Sequence, residues 1–440
     1  MKFGKMAGLA AIGVFALAGA LATPGISQAS AVHSSAAPLT RAEAYAVQIR
    51  AQLGLKSSLP YIRSLESEHG LNDTQLGTPV TAAELAELTA RHALGSHVNA
   101  VGKTLSASPS FGGVWFKQAG DGVIMVGLTS APTAAVTRMV SRDVPAHSAV
   151  DFVRVPLSYR RLNSLYQKII AGPMWARGIG NVAIDLAANT VTVGVATKAD
   201  VRAVYARYGH TGLTVTVAAP TAGTASRNFT SGQLYGGEWV SFANGESCTM
   251  GYGDLINAAG QLYSMTAGHC APNGTAAYQG NAIGDPTIGS GMHGGHTYNQ
   301  PNKTTQCDCG FVGVITGNQL SDQTLVTNNA LFTFTQTGTA YSGESSCHSG
   351  AASYEKNGGH IVCGTIVSTS ATVSVTGTQA GTFTLTNSIE WSGSEILGDS
   401  GAPLGDGGNF LGIASATNGS DAWFSKSTNV KPVTGLTLEY

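Results

Sequence analysis

Two hydrophobic periods divide the chain. From about Thr40 to Ala93 apolar residues recur at helical spacing. Thr40-Arg41-Ala42-Glu43 has the form of a capping box, in which a hydroxyl and a carboxylate satisfy each other's backbone N–H groups, ahead of a helix over Ala44–Leu53. Thr81-Ala82-Ala83-Glu84 repeats that form, with Leu85 and Leu88 behind it on one face. A further helix is predicted over Tyr159–Ile170. Val182–Leu186 and Thr190–Val195 then suit a hairpin turning at Ala187-Ala188-Asn189, followed by a helix over Ala199–Tyr208 and a strand over Leu213–Val217. This part is α+β. Between Ala218 and Gly237 the chain turns to Thr, Ala, Ser and Gly, as exposed linkers do. Beyond it the period becomes two. Leu331–Thr337, Thr365–Val375, Thr382–Ile389 and Phe410–Ala416 alternate between apolar and polar, separated by Gly and Asn, which predicts an all-β barrel or sandwich. No internal repeat stands out.

The N-terminus changes where this chain is expected to work. Lys2 and Lys5 precede an apolar run from Met6 to Ala22, and Ala20-Leu21-Ala22 and Ala29-Ser30-Ala31 are small-residue cleavage motifs. That is the order of a secretory signal, assigned to residues 1–31. The alternative, a membrane anchor, calls for about 20 strongly apolar residues, and this run is shorter and rich in Ala and Gly. After signal removal no membrane partner is expected. Export bears on the cysteines. Cys248, Cys270, Cys307, Cys309, Cys347 and Cys363 all lie in the second half, and an even count in an exported domain favours disulfides, with about 15 pairings open.

Composition removes other classes. Charged residues are 11% and hydrophobic ones 43%, which excludes a charge-solvated disordered chain. The 57 glycines follow no triplet, which excludes collagen. A net charge of −1 conceals an asymmetry: residues 32–233 carry eighteen Lys and Arg against eleven acids, and residues 234–440 four Lys, no Arg and fourteen acids. Opposite signs suggest that the two halves attract each other, and the acidic half is no nucleic-acid binder.

Three residues carry candidate chemistry. Ser400 lies in Gly398-Asp399-Ser400-Gly401, a turn between strand-like segments. A serine hydroxyl is a poor nucleophile until a base takes its proton, and a tight glycine-flanked turn can aim N–H groups at a developing oxyanion. His269 lies in Thr266-Ala267-Gly268-His269-Cys270, and Asp308 in Cys307-Asp308-Cys309. Singly, these are a common turn, an ordinary histidine and a turn aspartate; their weight comes from occurring together in the order His, Asp, Ser.

Together the motifs resemble those of chymotrypsin-like serine peptidases, in particular the secreted bacterial streptogrisin and alpha-lytic protease family. Cys347-His348-Ser349-Gly350 and Cys363-Gly364-Thr365-Ile366 are similar to a paired-cysteine segment of that branch, and Leu411-Gly412-Ile413-Ala414-Ser415 to its substrate-lining strand. The similarity covers roughly residues 234–440. It implies two antiparallel six-stranded β-barrels with the cleft between them, His269 and Asp308 from the first and Ser400 from the second. It also implies an oxyanion hole from the N–H groups of Gly398 and Ser400, disulfides Cys248–Cys270 and Cys347–Cys363, a polypeptide substrate, a monomer and no cofactor or metal. Residues 32–233 become an α+β pro-region that assists folding and then inhibits, with maturation between Ala225 and Leu234.

Some positions depart from the pattern. Cys307 and Cys309 would close a very small disulfide ring; zinc held by His293, His296, Cys307 and Cys309 is the alternative. Ser415-Ala416-Thr417 stands where Ser-Gly-Gly is frequent, and a β-branched Thr417 predicts a narrow pocket for small apolar side chains. Ser394 and Glu395 are placed near the same pocket, where a buried Glu395 would instead select basic residues. The resemblance implies a basic partner for Asp399 in the segment matching Cys347–Gly350; this half has no arginine and His348 stands at about that place, so His348 is expected to pair with Asp399, the alternative being that backbone N–H groups satisfy the carboxylate. The competing functions are a catalytically inactive homologue that binds peptide or cell-wall material, and a Thr/Gly-rich adhesin.

Overall fold

The computed structural model describes residues 40–69, 78–120, 122–173, 179–195, 197–217, 233–271, 273–280, 287–292, 302–314, 319–327, 330–357, 361–378, 380–406 and 408–439. Residues 1–31, expected to be a signal, residues 225–232 of the expected cleavage region, and His293 and His296 lie outside them. No helix among the described residues is long and apolar enough to cross a membrane.

Both capping boxes form. Thr40 Oγ1 accepts the Glu43 N–H at 3.1 Å and Glu43 Oε2 accepts that of Thr40 at 2.7 Å, opening the helix Arg41–Gln52. Thr81 and Glu84 do the same for Ala82–Gly95, at 3.1 and 2.9 Å. Arg50 is buried between these helices, where it donates to the carbonyls of Lys56 and Pro79 and pairs with Glu84, so every face of its guanidinium has a partner.

Residues 98–217 contain a repeat of topology that the sequence pattern did not disclose. Helix Val98–Leu105, strands Phe111–Lys117 and Val123–Leu128, helix Ala134–Asp143 and strand Val150–Arg154 form an αββαβ unit. Helix Tyr159–Ile170, strands Ile179–Asp185 and Thr190–Val195, helix Lys198–Tyr208 and strand Leu213–Val217 form a second. In each, the first two strands are antiparallel and the third lies parallel to the second across its helix, since a parallel neighbour needs a crossover. Each has its own apolar core, around Val101, Phe116 and Val126 in the first and Leu162, Val182 and Val193 in the second. The repeat lies in element order rather than in residue identities. The predicted hairpin and the three elements around it fall in the second unit, whereas the first unit's three strands carried no clear period in the sequence.

Residues 233–439 are mostly β. One sheet of eight short strands runs, in order, Thr437–Leu438, Leu255–Ile256, Leu262–Ala267, Cys309–Val314, Thr287–Met292, Ala276–Gln279, Trp239–Phe242, Ser247–Thr249, an open path among the described residues. In a second sheet six antiparallel strands pair in a closed ring: Ser345–His348, Val362–Val375, Phe383–Ser392, Ala422–Lys426, Asn409–Thr417 and Pro403–Asp406, which pairs back to the first. The single strand expected over Leu331–Thr337 is two, Ala330–Thr333 and Gln336–Thr337, because Phe334 turns into the core beside Tyr252 and Phe410. The structure pairs Cys248 with Cys270, Cys307 with Cys309, and Cys347 with Cys363.

The two halves share a sheet. Strand Ile179–Asp185 pairs antiparallel with the long strand Val362–Val375, Val182 opposite Thr372 and Asn181 opposite Val373. Tyr166 Oη adds contacts to Ser370 O at 3.0 Å and Thr372 Oγ1 at 2.6 Å. The first unit instead receives a loop: Tyr341 enters its core, Phe116 N–H donates to Ser342 O at 2.9 Å, and Gln118 Nε2 to Gly343 O at 3.1 Å. The contact is mainly apolar and backbone in kind, and among the described residues one ion pair crosses it, His92 to Asp406 at 2.6 Å.

Candidate functional site

Strand register brings His269 to Asp308. Leu262–Ala267 pairs antiparallel with Cys309–Val314 so that Ala267 faces Cys309, and His269 and Asp308 therefore leave the sheet at the same end. Asp308 holds His269 at two points: Oδ1 accepts its backbone N–H at 2.9 Å, and Oδ2 lies 2.7 Å from Nδ1. Gly268 N–H donates to Asp308 O at 3.0 Å. Gly310 is a requirement of this approach, because a Cβ there would stand 2.6 Å from Ala267 O and 3.0 Å from Gly268 Cα. Cys270, bridged to Cys248, anchors the histidine turn from its other side. Asp308 is fully buried, and its own N–H donates to Ser425 Oγ at 2.9 Å, which in turn lies 2.9 Å from Ser415 Oγ. Burial pulls the His269 pKa down, but the charge and hydrogen bond of Asp308, with a smaller contribution from Glu246, outweigh it, and the imidazole rests above its ordinary value.

Ser400 sits in the turn between Phe383–Ser392 and Pro403–Asp406. Gly398 and Gly401 have φ of 103° and 92°, which L side chains rarely adopt. Gly401 is also pressed against the strand that leads to His269, where a Cβ would lie 2.8 Å from Ala267 N. Asp399 N–H donates to Ile396 O at 3.1 Å, Gly401 N–H to Ala414 O at 2.8 Å, and Ala402 N–H to Asp399 O at 2.7 Å. Among the described residues, the N–H groups of Gly398 and Ser400 meet no acceptor. The turn thus has two open donors among satisfied neighbours.

The expected pairing of His348 with Asp399 is not what the structure shows. Asp399 accepts the N–H groups of Ser353 at 2.8 Å and Ile396 at 3.0 Å, and also the Ser353 hydroxyl. His348 packs edge-on to Trp391 and Phe424, ring centroids 5.2 and 5.9 Å away. The physical reason is the helix Ala351–Lys356, whose first turn brings the Ser353 N–H and hydroxyl to the carboxylate and, with the Ile396 N–H, makes a cation unnecessary. The disulfide between Cys307 and Cys309 likewise removes two thiolates from the proposed zinc set.

Around the expected pocket, Ala416 and Thr417 are half-buried, Ser394 is exposed and Glu395 is buried. Thr417 Oγ1 donates to Glu395 O at 3.2 Å and to Asp421 O at 3.0 Å, which ties the two segments together. Burial, and then the charge of Asp399, hold the Glu395 carboxyl well above the usual carboxylate range. That favours its neutral form and weighs against a standing anion for basic side chains. A cavity of ≈ 470 Å³ lies elsewhere, where Leu53, Val80 and Leu88 of the first half face Phe332, Ile361 and the Cys347–Cys363 bridge.

Sequence reasoning missed Thr249, Ser353 and Ser425. Each is an ordinary hydroxyl in a Thr/Ser-rich chain, and only the fold shows which of many such groups meets the histidine or serine turn.

The sequence matches no family model and no curated protein. Similar solved structures are bacterial chymotrypsin-like serine proteases. They include a chymotrypsin of Cellulomonas bogoriensis at 23% identity, over 47% of this chain and 98% of that one, TM-score 0.37. Thermobifida fusca protease A is similar at 25% identity over 47% and 98%, TM-score 0.36, and Nocardiopsis protease at 24% over 47% and 100%, TM-score 0.37.

Proposed function

We propose that this chain is a secreted serine endopeptidase made as a pro-enzyme: residues 1–31 direct export, 32–233 form the pro-region and 234–440 the peptidase. The observation that carries this reading is the two-point grip of Asp308 on His269, beside a serine turn whose Gly398 and Ser400 N–H groups meet no acceptor among the described residues. With Nδ1–H donated to Asp308, the basic nitrogen is Nε2. Nε2 takes the Ser400 proton as Oγ bonds to the peptide carbonyl carbon. The two open N–H groups receive the negative oxygen, and Asp308 stabilises the imidazolium. The C–N bond breaks as His269 protonates the leaving amine, and water, deprotonated by the same nitrogen, releases the acyl group from Ser400. Ala416 and a narrowing Thr417 favour small apolar side chains before the cut.

The test is covalent labelling of the secreted product by a fluorophosphonate, together with peptide hydrolysis across pH. Labelling at Ser400, abolished by Ser400→Ala, is expected. Hydrolysis falls in acid as His269 protonates; because its pKa is raised, the midpoint lies above the ordinary histidine value of about 6.5. No labelling, or labelling that survives Ser400→Ala, removes the proposal.

A further inference from the structure

Thr249 joins the two sides of the proposed site. It follows Cys248, whose disulfide partner Cys270 follows His269. Its side chain is fully buried, and every polar atom it owns is engaged at normal distance. Oγ1 donates to Gly398 O at 2.7 Å and accepts the Ala351 N–H at 3.1 Å. Its N–H donates to Ser400 O at 2.8 Å, and its carbonyl accepts from Thr266 Oγ1 at 2.8 Å. One residue therefore brackets the Gly398–Ser400 stretch, hydroxyl at its first carbonyl and amide at its last.

We infer that Thr249 is the positioning residue for the two oxyanion donors, a role that rests on the peptidase reading above. The Ser400 N–H belongs to the peptide that lies between the two carbonyls held by Thr249. The Gly398 N–H precedes the first of them at a residue that, lacking a Cβ, can adopt its φ of 103° and many others. Without the hydroxyl, Gly398 O loses its partner and the peptide before Asp399 keeps only the 3.1 Å bond from Asp399 N–H to Ile396 O. The bonds to Ser400 O and, from Ala402 N–H, to Asp399 O remain, so the serine end stays held while the Gly398 end is loosened. Oxyanion donors act through fixed direction, and a displacement of about 1 Å costs on the order of 100-fold in rate. Substrate binding along Leu411–Thr417 does not pass through this contact, and neither does the His269–Asp308 pair.

Full-length wild type, Thr249→Val, Thr249→Ser and Ser400→Ala are expressed, and the secreted products are assayed on a peptide anilide with alanine before the scissile bond. Thr249→Val should lower kcat about 10- to 100-fold with KM within about twofold. The acid midpoint should not move, because the histidine and its carboxylate are untouched. Thr249→Ser, which restores the hydroxyl, should return kcat to within about threefold. If Thr249→Val fails to fold, Thr249→Ala removes the same hydroxyl without branching and is judged by the same result. Wild-type kcat in the hydroxyl-less variants overturns the inference, as does a loss that Thr249→Ser does not rescue. If wild type itself neither hydrolyses nor labels, the peptidase reading fails first; if wild type works and Thr249→Val equals it, only the positioning role fails.

Discussion

Residues 40–217 and 233–439 solve the problem of burying apolar surface in different ways. The first part builds two small αββαβ units, each closed on local contacts between a hairpin and its crossover helix. The second builds sheets from strands distant in sequence, such as Leu262–Ala267 on Cys309–Val314, and ties them with three disulfides. Local contacts form quickly, and distant pairings wait for loops to close. The edge of Ile179–Asp185 pairs with Val362–Val375, so the part built on local contacts extends a sheet of the part built on distant ones. The two units dock differently, one by receiving Tyr341 into its core and the other by extending a sheet.

The largest effect should come from removing the first half. Expression of residues 234–440 alone is expected to lower the yield of folded product at least about tenfold, since the non-local sheets lose their partner. Full yield without it would break the comparison. A second test separates the two docking modes. Gly95 leaves room for Tyr341, whose hydroxyl an added Cβ would overlap, so Gly95→Val should destabilise the full chain by about 1–3 kcal/mol. Tyr166→Phe removes only the hydroxyl at the sheet junction and should cost about 1 kcal/mol. Denaturant unfolding of the full chain measures both; equal costs would mean that the insertion and the sheet edge matter alike.

The smallest expected effect is a pH dependence of the contact between the halves. His92 meets Asp406 at 2.6 Å, with Glu344 and Tyr341 as its other titratable neighbours and Asn409 beside both. The hydrogen bond to Asp406 outweighs burial and raises the His92 pKa. Burial, then the Asp406 charge, raises Glu344 well above the usual carboxylate range. Both groups hold protons more tightly in the folded contact, so their contribution is complete in acid and is lost as pH rises through the raised His92 value. Hydrogen exchange over Ala82–Gly95, corrected for its intrinsic pH dependence, should be about threefold faster at mildly alkaline than at mildly acidic pH, the size expected of a pair whose histidine is partly exposed. His92→Gln should flatten the difference. An unchanged pH response in that variant would assign it elsewhere.

Much of this was legible in the sequence because its causes are local. Thr40 and Glu43, or Thr81 and Glu84, need only three residues to form a capping box, and Tyr159–Ile170 needs only its own apolar stripe. The alternation in Thr365–Val375 and Phe410–Ala416 likewise marks strands wherever their partners lie, within one to three residues of the observed ends. The serine turn was legible as well, since Gly398 and Gly401 announce backbone that other residues avoid. Partnership was not legible. A carboxylate accepts from any donor of the right geometry, so Asp399 could be assigned to His348 until the fold set Ser353 and Ile396 beside it. The duplicated αββαβ order was hidden for a related reason, because many sequences satisfy one topology. The chain by itself determined its periodicities, its turns and the residue types able to do chemistry. Only the tertiary structure decided which hydroxyl, carboxylate and amide face one another, since distance in space is fixed by packing and strand register and not by spacing along the chain.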